Sequence, residues 1–258
     1  MHSSFMHDMA AHAGKVMLKH FRIGMEQQQK SDMTPVTKAD LEINDLLIKN
    51  VCEHFPKHDV LAEEKSSRKN RGRFLWVCDP VDGTIPYAHG IPVAMFSLAL
   101  LDNGSPVAAI THDPFLNRTF YAEKGKGALL NGKPIKVGES YCIGTTEWMR
   151  MSYDTSRLND ALIQKDYQVL DPSSFVYMGC LVACGTFAAA IFAGDTAHDL
   201  AAVKLIVEEA GGTVTDIFGE EQRYDSTLKG AIASNGIIHE ELVGLSRDLV
   251  TPGKHRNL

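Results

Sequence analysis

The sequence predicts an α/β protein in which two lobes meet near residue 140. Three observations support this class. Amphipathic helical spacings occupy residues 5–20 and 37–54 with a polar loop at 30–35 between them, short apolar runs separated by turn residues follow as far as residue 138, and helical and strand patterns alternate after that. The chain has 258 residues, which suits one large domain or two modest lobes because a single core stops growing efficiently at about 250 to 300 residues. We therefore expect an N-terminal lobe over residues 1–140 and a C-terminal lobe over residues 141–258.

Two amphipathic helices are expected at the start of the N-terminal lobe. In the first, apolar residues recur three or four positions apart from Phe5 to Met17, and Gly24 follows as a C-cap. In the second, apolar residues at helical spacing predict a helix over residues 37–54.

Short apolar runs after the second helix predict strands. The first two runs end in carboxylates, at Glu63-Glu64 and at Asp79, so we expect buried strands with acids at their exits. The later runs are separated by turn residues at 102–105 and at Pro114, which indicates an antiparallel meander. The predicted strands cover residues 60–62, 74–78, 94–101, 106–111 and 118–122.

Helical and strand patterns alternate in the C-terminal lobe. The predicted helices cover residues 158–165, 176–192 and 199–210. The predicted strands cover residues 145–151, 167–170, 213–216 and 231–234. The sequence contains no internal repeat, and no linker is long enough to make the lobes independent domains.

Composition and charge argue against several classes of protein. The chain has 26 basic and 32 acidic residues and no long basic cluster, so nucleic acid is not expected as a partner. Its five cysteines form no CxxC pair, which argues against a disulfide framework and favours a reducing cytoplasm. No apolar run reaches the roughly 18 residues of a membrane helix. We expect a cytoplasmic protein without a membrane partner.

The most informative motif is Asp79-Pro80-Val81-Asp82-Gly83-Thr84. Two carboxylates three residues apart, joined by a proline that stiffens the turn, can point at one cation, and Mg²⁺ prefers such oxygen ligands. The backbone N–H groups that follow are suited to a phosphate. Taken alone, the same four residues D-P-x-D are also compatible with a solvated Asx turn.

Carboxylates elsewhere in the chain allow a structural or a functional interpretation. Glu63-Glu64 alone is compatible with a surface pair. Asp40 and Asp199 each follow a threonine by three positions, as in a capping box that satisfies helix N–H groups. Their combination with the motif at 79–84 favours a common site.

Together these motifs resemble those of the inositol monophosphatase family of Mg²⁺-dependent, lithium-sensitive phosphatases. The family's D-P-[IV]-D-G-T motif stands at residues 79–84. The other matches are V-T-x-x-D at 36–40, G-E-E at 62–64 with alanine first, G-x-G-A-x-x-N-G at 125–132, W-D-x-A-A at 198–202 with histidine first, and E-A-G-G at 209–212. The resemblance covers about residues 30 to 236. It implies a layered αβαβα sandwich of the inositol monophosphatase/fructose-1,6-bisphosphatase type and suggests a homodimer.

The resemblance also implies the ligands of a metal centre with two or three Mg²⁺ ions. One of the carboxylates, Asp79, is expected to bridge two of these ions. The implied ligands are Glu64, Asp79, the carbonyl of Val81, Asp82 and Asp199.

The remaining implied roles concern phosphate, water and substrate. The N–H groups of Gly83 and Thr84 are expected to bind phosphate, and Asp40 and Thr84 to orient the attacking water. The implied catalytic residues are Asp40, Thr84 and Glu64. The implied substrate contacts are Asp82, Ser174, Phe192 and Asp199.

Departures from the family pattern leave the alcohol half of the substrate open. Pro86 stands where the family has an asparagine, His198 replaces the usual tryptophan, and Phe192 stands where inositol-type members often carry a substrate-binding glutamate. We expect hydrolysis of a small phosphorylated metabolite, inositol-1-phosphate or a similar polyol phosphate. The alternatives are histidinol phosphate, a 3′-phosphoadenosine nucleotide or a sugar phosphate as substrate, or a metal- and phosphate-binding regulatory protein.

Overall fold

Helices and strands alternate along the chain in the computed structural model, which describes residues 2–24, 27–29, 35–67, 72–146 and 151–253. The helices are α1 (His2–His20), α2 (Lys38–His54), α3 (Thr84–Ala88), α4 (Ser156–Gln164), α5 (Phe175–Ala183), α6 (Ala197–Glu209) and α7 (His239–Leu249). The strands are β1 (Gln27–Gln29), β2 (Pro35–Thr37), β3 (Asp59–Ala62), β4 (Phe74–Asp82), β5 (Met95–Asp102), β6 (Ser105–Asp113), β7 (Arg118–Glu123), β8 (Ala128–Leu130), β9 (Lys133–Ile135), β10 (Cys142–Thr145), β11 (Tyr153–Asp154), β12 (Gln168–Leu170), β13 (Ala189–Phe192), β14 (Thr213–Thr215), β15 (Ala231–Ser234) and β16 (Thr251–Pro252).

The larger sheet is built from consecutive strands, in the order β3-β4-β5-β6-β7-β8-β9. Strands β3 and β4 are parallel, and every later neighbour is antiparallel. The two-residue turn between β5 and β6 has Asn103 at φ 50° and Gly104 at φ 82°, the left-handed geometry that suits a tight hairpin. The predicted meander is confirmed.

The smaller sheet has the order β12-β10-β13-β15-β14. Its first three strands are parallel, so their carboxyl ends meet at one edge. Strand β15 is antiparallel to both of its neighbours. The remaining strands form two short antiparallel pairs, β1 with β2 and β11 with β16.

Side-chain alternation in the strands separates three apolar cores. In β4, Trp76 and Cys78 face the core beneath α1 and α2, whereas Leu75 and Val77 face α5 and α6. The inner faces of both sheets pack on α5 and α6, and the outer face of the smaller sheet packs on α4 and α7. The result is the expected αβαβα sandwich. The division into lobes at residue 140 falls between β9 and β10 and stays a prediction.

The helix predicted over residues 176–192 is wrong in its second half. Helix α5 ends at Ala183, and Gly185 then takes a φ of 75° that a helix cannot continue. The chain returns as strand β13. A continuous apolar run fits a buried helix and a buried strand equally well, so its length alone misled the prediction.

The strand predicted over residues 145–151 is also displaced. Strand β10 ends at Thr145, where its pairing with β13 ends. Residues 147–150 lie outside the described part of the chain. Among the described helices, none is long and apolar enough to cross a membrane.

Candidate active site

The exits of two parallel strands bring the first acids together. Ala62 pairs with Cys78 at the ends of β3 and β4, and the Glu63 N–H donates to the Cys78 carbonyl at 3.3 Å. Glu63 therefore follows β3 at the level where Asp79 continues β4. Parallel pairing places residues distant in sequence at the same sheet edge.

The D-P-V-D segment departs from regular pairing. The register between β4 and β5 shifts between Asp79 and Asp82, a bulge that turns the strand. The Asp79 Oδ1 atom accepts the Val81 N–H at 3.0 Å, and the Thr84 hydroxyl donates to the Val81 carbonyl at 2.9 Å. The Asx-turn interpretation is thus correct for the local bonding, and the same turn places both aspartates at the cavity described below.

Gly83 is required by the backbone at this turn. Its φ is 82°, and a Cβ atom built there lies 2.7 Å from the Val93 carbonyl oxygen. No side chain fits without moving the backbone, since real Cβ atoms do not approach so closely. Helix α3 begins at the next residue, Thr84.

Asp82 is held by the N-terminus of α5. Its carboxylate accepts the N–H groups of Phe175 and Val176, each at 3.0 Å, and the hydroxyl of Ser174. Ser174 is 2% exposed and also accepts the Tyr177 N–H as the N-cap of α5. The substrate contact predicted for Ser174 therefore has to be corrected: the Ser174 hydroxyl positions Asp82, and Ser174 is not among the residues that line the cavity.

The two candidate capping boxes differ. Asp40 forms one: its Oδ2 accepts the Thr37 N–H at 2.8 Å and the Thr37 hydroxyl at 2.5 Å. Its Oδ1 is buried and has no hydrogen-bond partner among the described residues. The capping-box interpretation is wrong for Asp199, because the Thr196 hydroxyl bonds to the Asp199 carboxylate and caps no N–H group of α6.

Within the described ranges, three sets of side chains bring one ligand atom from each residue to within 4.8 Å of one another. Asp79 belongs to two of these sets and Glu63 to two, so the sets share a continuous cluster. The sets are Asp79 with Asp82 and Asp199, Asp40 with Glu63 and Glu64, and Glu63 with Asp79 and His198.

Electrostatic repulsion within this cluster is strong. Burial is the largest cause that raises the pKa of Asp79 well above its ordinary value, and the charges of Glu63 and Asp82 raise it further. Burial also raises the pKa of Asp82 to about 7, with the charge of Asp199 adding to it, and the pKa of Asp40 to about 7. Buried acids in this number need protons or cations to neutralise them. The carboxylate oxygens of the cluster and the unpartnered Oδ1 of Asp40 fit a hard divalent cation such as Mg²⁺.

A cavity of about 380 Å³ opens at the carboxylate cluster. One wall consists of the acids and the turn at 83–84, and the other combines apolar and polar side chains from the second half of the chain. The lining residues are Pro35, Glu63, Asp79, Asp82, Gly83, Thr84, Ile85, Thr146, Met151, Ser152, Ser173, Phe175, Gly194, Asp195, Thr196, His198 and Asp199.

Comparison with known proteins identifies the family. A family model described as the inositol monophosphatase family matches residues 3–251, nearly the whole chain. The chain belongs to the inositol monophosphatase family. It is 33% identical over 244 residues to a fructose-1,6-bisphosphatase/inositol-1-monophosphatase of Thermotoga maritima, with 92% of both chains covered. It is 29% identical to a histidinol-phosphatase of Chlorobaculum parvum, with 92% of this chain and 93% of that protein covered.

Solved structures agree with this assignment. An inositol monophosphatase structure from Thermotoga maritima superposes with a TM-score of 0.85 at 29% identity, covering 96% of this chain and 97% of that one. The predicted fold, family and enzyme class are confirmed: this inositol monophosphatase family member is a phosphoric monoester hydrolase.

Two predicted site residues of this family member lie elsewhere than expected. Glu63 lines the cavity beside Asp79, whereas Glu64 groups with Asp40 and is absent from the lining, so the geometry favours Glu63 for the ligand role predicted for Glu64. Phe192 is fully buried, and its ring packs edge-on against Phe175 with centroids 5.4 Å apart. The predicted direct substrate contact of Phe192 is wrong, because β13 points this side chain into the core that contains α5 and α6.

Sequence reasoning missed Thr146 and Asp195 as cavity residues of the inositol monophosphatase site. They follow β10 and β13, which are parallel neighbours whose carboxyl ends share an edge. A polar residue that closely follows a short apolar run is the signal that could have identified each of them. The E-A-G-G motif, in contrast, serves a structural purpose: the Glu209 carboxylate accepts the N–H groups of Gly125 at 2.6 Å and Gly127 at 2.7 Å.

Proposed function

We propose that the protein hydrolyses the phosphate monoester of a small polyol such as inositol-1-phosphate, using water activated at a divalent-cation site. The observation that carries this proposal is the convergence of buried carboxylates on one cavity wall, beside the glycine-threonine turn at 83–84. Such a wall supplies both requirements of phosphoryl transfer, since carboxylates hold cations and N–H groups hold phosphate oxygens.

The carboxylates and one carbonyl are the groups that would hold Mg²⁺. Three sets of converging ligands are compatible with the expected two or three ions. When bound there, Mg²⁺ stabilises charge on the phosphoryl oxygens and lowers the pKa of water. The ligands proposed are Glu63, Asp79, the Val81 carbonyl, Asp82 and Asp199, with Glu64 close to Glu63.

Asp40 is proposed to hold the attacking water. Thr37 occupies one carboxylate oxygen, and the buried Oδ1 atom is left to accept a hydrogen bond or a proton. The Thr84 hydroxyl is tied to the Val81 carbonyl, which fixes the turn. The N–H groups of Gly83 and Thr84 are proposed to bind the phosphate oxygens.

The far wall of the cavity is proposed to select the alcohol. Thr146 is 2% exposed, its buried hydroxyl has no hydrogen-bond partner among the described residues, and Asp195 adds a carboxylate. Together they offer a donor and an acceptor to the hydroxyl groups of a polyol. An unsatisfied buried hydroxyl favours a ligand that completes its bonding.

One observation favours a second candidate substrate, histidinol phosphate. The Asp195 carboxylate suits the ammonium group of histidinol, and Phe175, which also lines the cavity, is an aromatic residue suited to packing with an imidazole. Among the relatives, one is a histidinol-phosphatase.

A panel of phosphate esters tests the proposal and separates the two candidates. Phosphate release is measured with Mg²⁺ for inositol-1-phosphate, histidinol phosphate, fructose-1,6-bisphosphate and a 3′-phosphoadenosine nucleotide. We expect the largest kcat/KM for inositol-1-phosphate. A larger value for histidinol phosphate would select the second candidate, and no release from any ester would contradict the proposed function.

Asp195→Asn tests how the alcohol is selected. If Asp195 accepts a hydrogen bond from a substrate hydroxyl, kcat/KM for inositol-1-phosphate should fall about tenfold, the loss expected for one charge-assisted hydrogen bond of about 1.5 kcal/mol. The matched control is Asp160→Asn, on the exposed surface of α4, which should change nothing. Equal kcat/KM for Asp195→Asn and wild type would show that Asp195 does not bind the substrate.

A further inference from the structure

His198 lies where an additional metal ligand would lie. It occupies the first turn of α6, directly before Asp199, and its side chain is 17% exposed at the cavity wall. One of its ring nitrogens is within 4.8 Å of carboxylate oxygens of Glu63 and Asp79. Three separate elements, the exits of β3 and β4 and the start of α6, thus bring these three side chains together.

The contact between His198 and Asp199 does not account for this placement. The His198 Nε2 atom is 3.7 Å from the Asp199 Oδ1 atom, which is too long for a hydrogen bond. The Asp199 carboxylate instead accepts the Thr196 hydroxyl. The imidazole is therefore not fixed to Asp199 by a short hydrogen bond.

We propose that His198 supplies an imidazole nitrogen to a divalent cation held by Glu63 and Asp79, so that this corner of the site favours a first-row transition metal over Mg²⁺. Mg²⁺ gives up water reluctantly and prefers oxygen ligands, whereas transition-metal cations bind imidazole well. The all-carboxylate set of Asp79, Asp82 and Asp199 keeps the oxygen-only chemistry that suits Mg²⁺. The two corners share Asp79 and differ in the metal they prefer.

This inference rests on the carboxylate assignment of the proposed function, and metal binding tests it without any ester. The full-length protein is stripped with EDTA and loaded with one equivalent of Mn²⁺ as the probe. Pulsed electron paramagnetic resonance then detects a ¹⁴N nucleus bound directly to Mn²⁺. We expect ¹⁴N modulation in wild type and its loss in His198→Gln.

Binding affinities give a second measurement. Removing a nitrogen ligand should weaken Mn²⁺ binding about tenfold or more, and Mg²⁺ binding by less than about threefold, so the ratio of the two dissociation constants changes. The matched control is His12→Gln, an exposed histidine on α1. Its ¹⁴N signal and its affinities should equal those of wild type.

The outcomes decide the inference in either direction. Absence of ¹⁴N modulation in wild type, or its persistence in His198→Gln, would overturn it. Circular dichroism checks that the variant is folded. If His198→Gln is not folded, two other samples take its place. In wild type labelled with ¹⁵N-histidine, a histidine ligand must convert the ¹⁴N modulation to ¹⁵N modulation. In His198→Trp, which restores the usual family residue, the modulation must be absent. Esters that are never hydrolysed would refute the proposed function and leave this result unaffected.

Discussion

The substitution Asp79→Asn tests two effects of the carboxylate cluster separately. One is the destabilisation of the metal-free fold by repulsion between buried acids, and the other is the proposed binding of a cation. The substitution removes a charge but keeps an oxygen that can accept the Val81 N–H, now 3.0 Å from Asp79 Oδ1. The local turn should therefore persist. We expect the metal-free variant to be more stable than metal-free wild type and to lose both turnover and stabilisation by Mg²⁺.

The size of the gain follows from the repulsion within the cluster. Burial and the charges of Glu63 and Asp82 raise the pKa of Asp79 well above its ordinary value, and the pKa of Asp82 is raised from 3.8 to about 7. A rise of that size costs about 4 kcal/mol when the group is ionised, because one pKa unit is about 1.4 kcal/mol. The substitution removes the charge of Asp79 and with it the repulsion between Asp79 and the carboxylates of Glu63 and Asp82. We expect a gain of about 2 to 4 kcal/mol in the free energy of unfolding at pH 8.

Urea denaturation followed by circular dichroism, with EDTA and with Mg²⁺, measures both effects. At a free Mg²⁺ concentration of about 100 times the dissociation constant, Mg²⁺ should raise the free energy of unfolding of wild type by about 2.7 kcal/mol and that of the variant by far less. Asp160→Asn on α4 is the matched control for loss of a charge. Mg²⁺ stabilisation equal to wild type, or a metal-free variant less stable than wild type, would refute the reasoning.

Three further predictions concern pH, metal and the core. Because the pKa values of Asp40 and Asp82 are raised to about 7, the folded metal-free protein binds more protons than the unfolded chain between about pH 4 and 7. Its free energy of unfolding should fall as pH rises through that window, and rising stability in EDTA would contradict this. Mg²⁺ should be required for phosphate release and Ca²⁺ should inhibit it, since Ca²⁺ coordinates more loosely; activity that survives EDTA would exclude the metal mechanism. Phe192→Glu should lower the free energy of unfolding by about 3 kcal/mol or more, because it buries a charge. It should also lower kcat/KM for all esters by the same factor. A changed ratio of kcat/KM between two esters would show that Phe192 contacts the substrate.

Local sequence patterns were sufficient to predict the elements that form the cavity wall with the carboxylates. Helix α2, the β3 and β4 strands and the meander follow from apolar periodicity, and the D-P-V-D-G-T motif marks the exit of β4. The motif could not decide between Glu63 and Glu64. That choice depends on the register of β3 against β4, in which Ala62 pairs with Cys78, and register is set by the whole sheet.

Contacts between residues far apart in sequence could not be predicted. Asp82 is bonded to Ser174, Phe175 and Val176, which are more than 90 positions later in the chain. The fold brings the N-terminus of α5 to the exit of β4, and no local signal reports that approach. Helix α7 was missed for a different reason: its buried residues Leu242, Val243 and Ser246 have helical spacing, but the run is short.

The position of Phe192 shows why a residue's role must be assigned from its side of the strand. Along β13, Ala189 and Ile191 face the core with α4 and α7, whereas Ala190 and Phe192 face the core with α5 and α6. We propose that residues beyond the strand select the alcohol. There Gly194 passes the Phe175 ring so closely that a Cβ atom would lie 2.9 Å from it. Because glycine allows this passage, the chain delivers Asp195 to the cavity wall. We propose that this carboxylate, three residues beyond the strand, replaces the acceptor that Phe192 lacks. Asp195, and not Phe192, is therefore the residue to change when the substrate preference is tested.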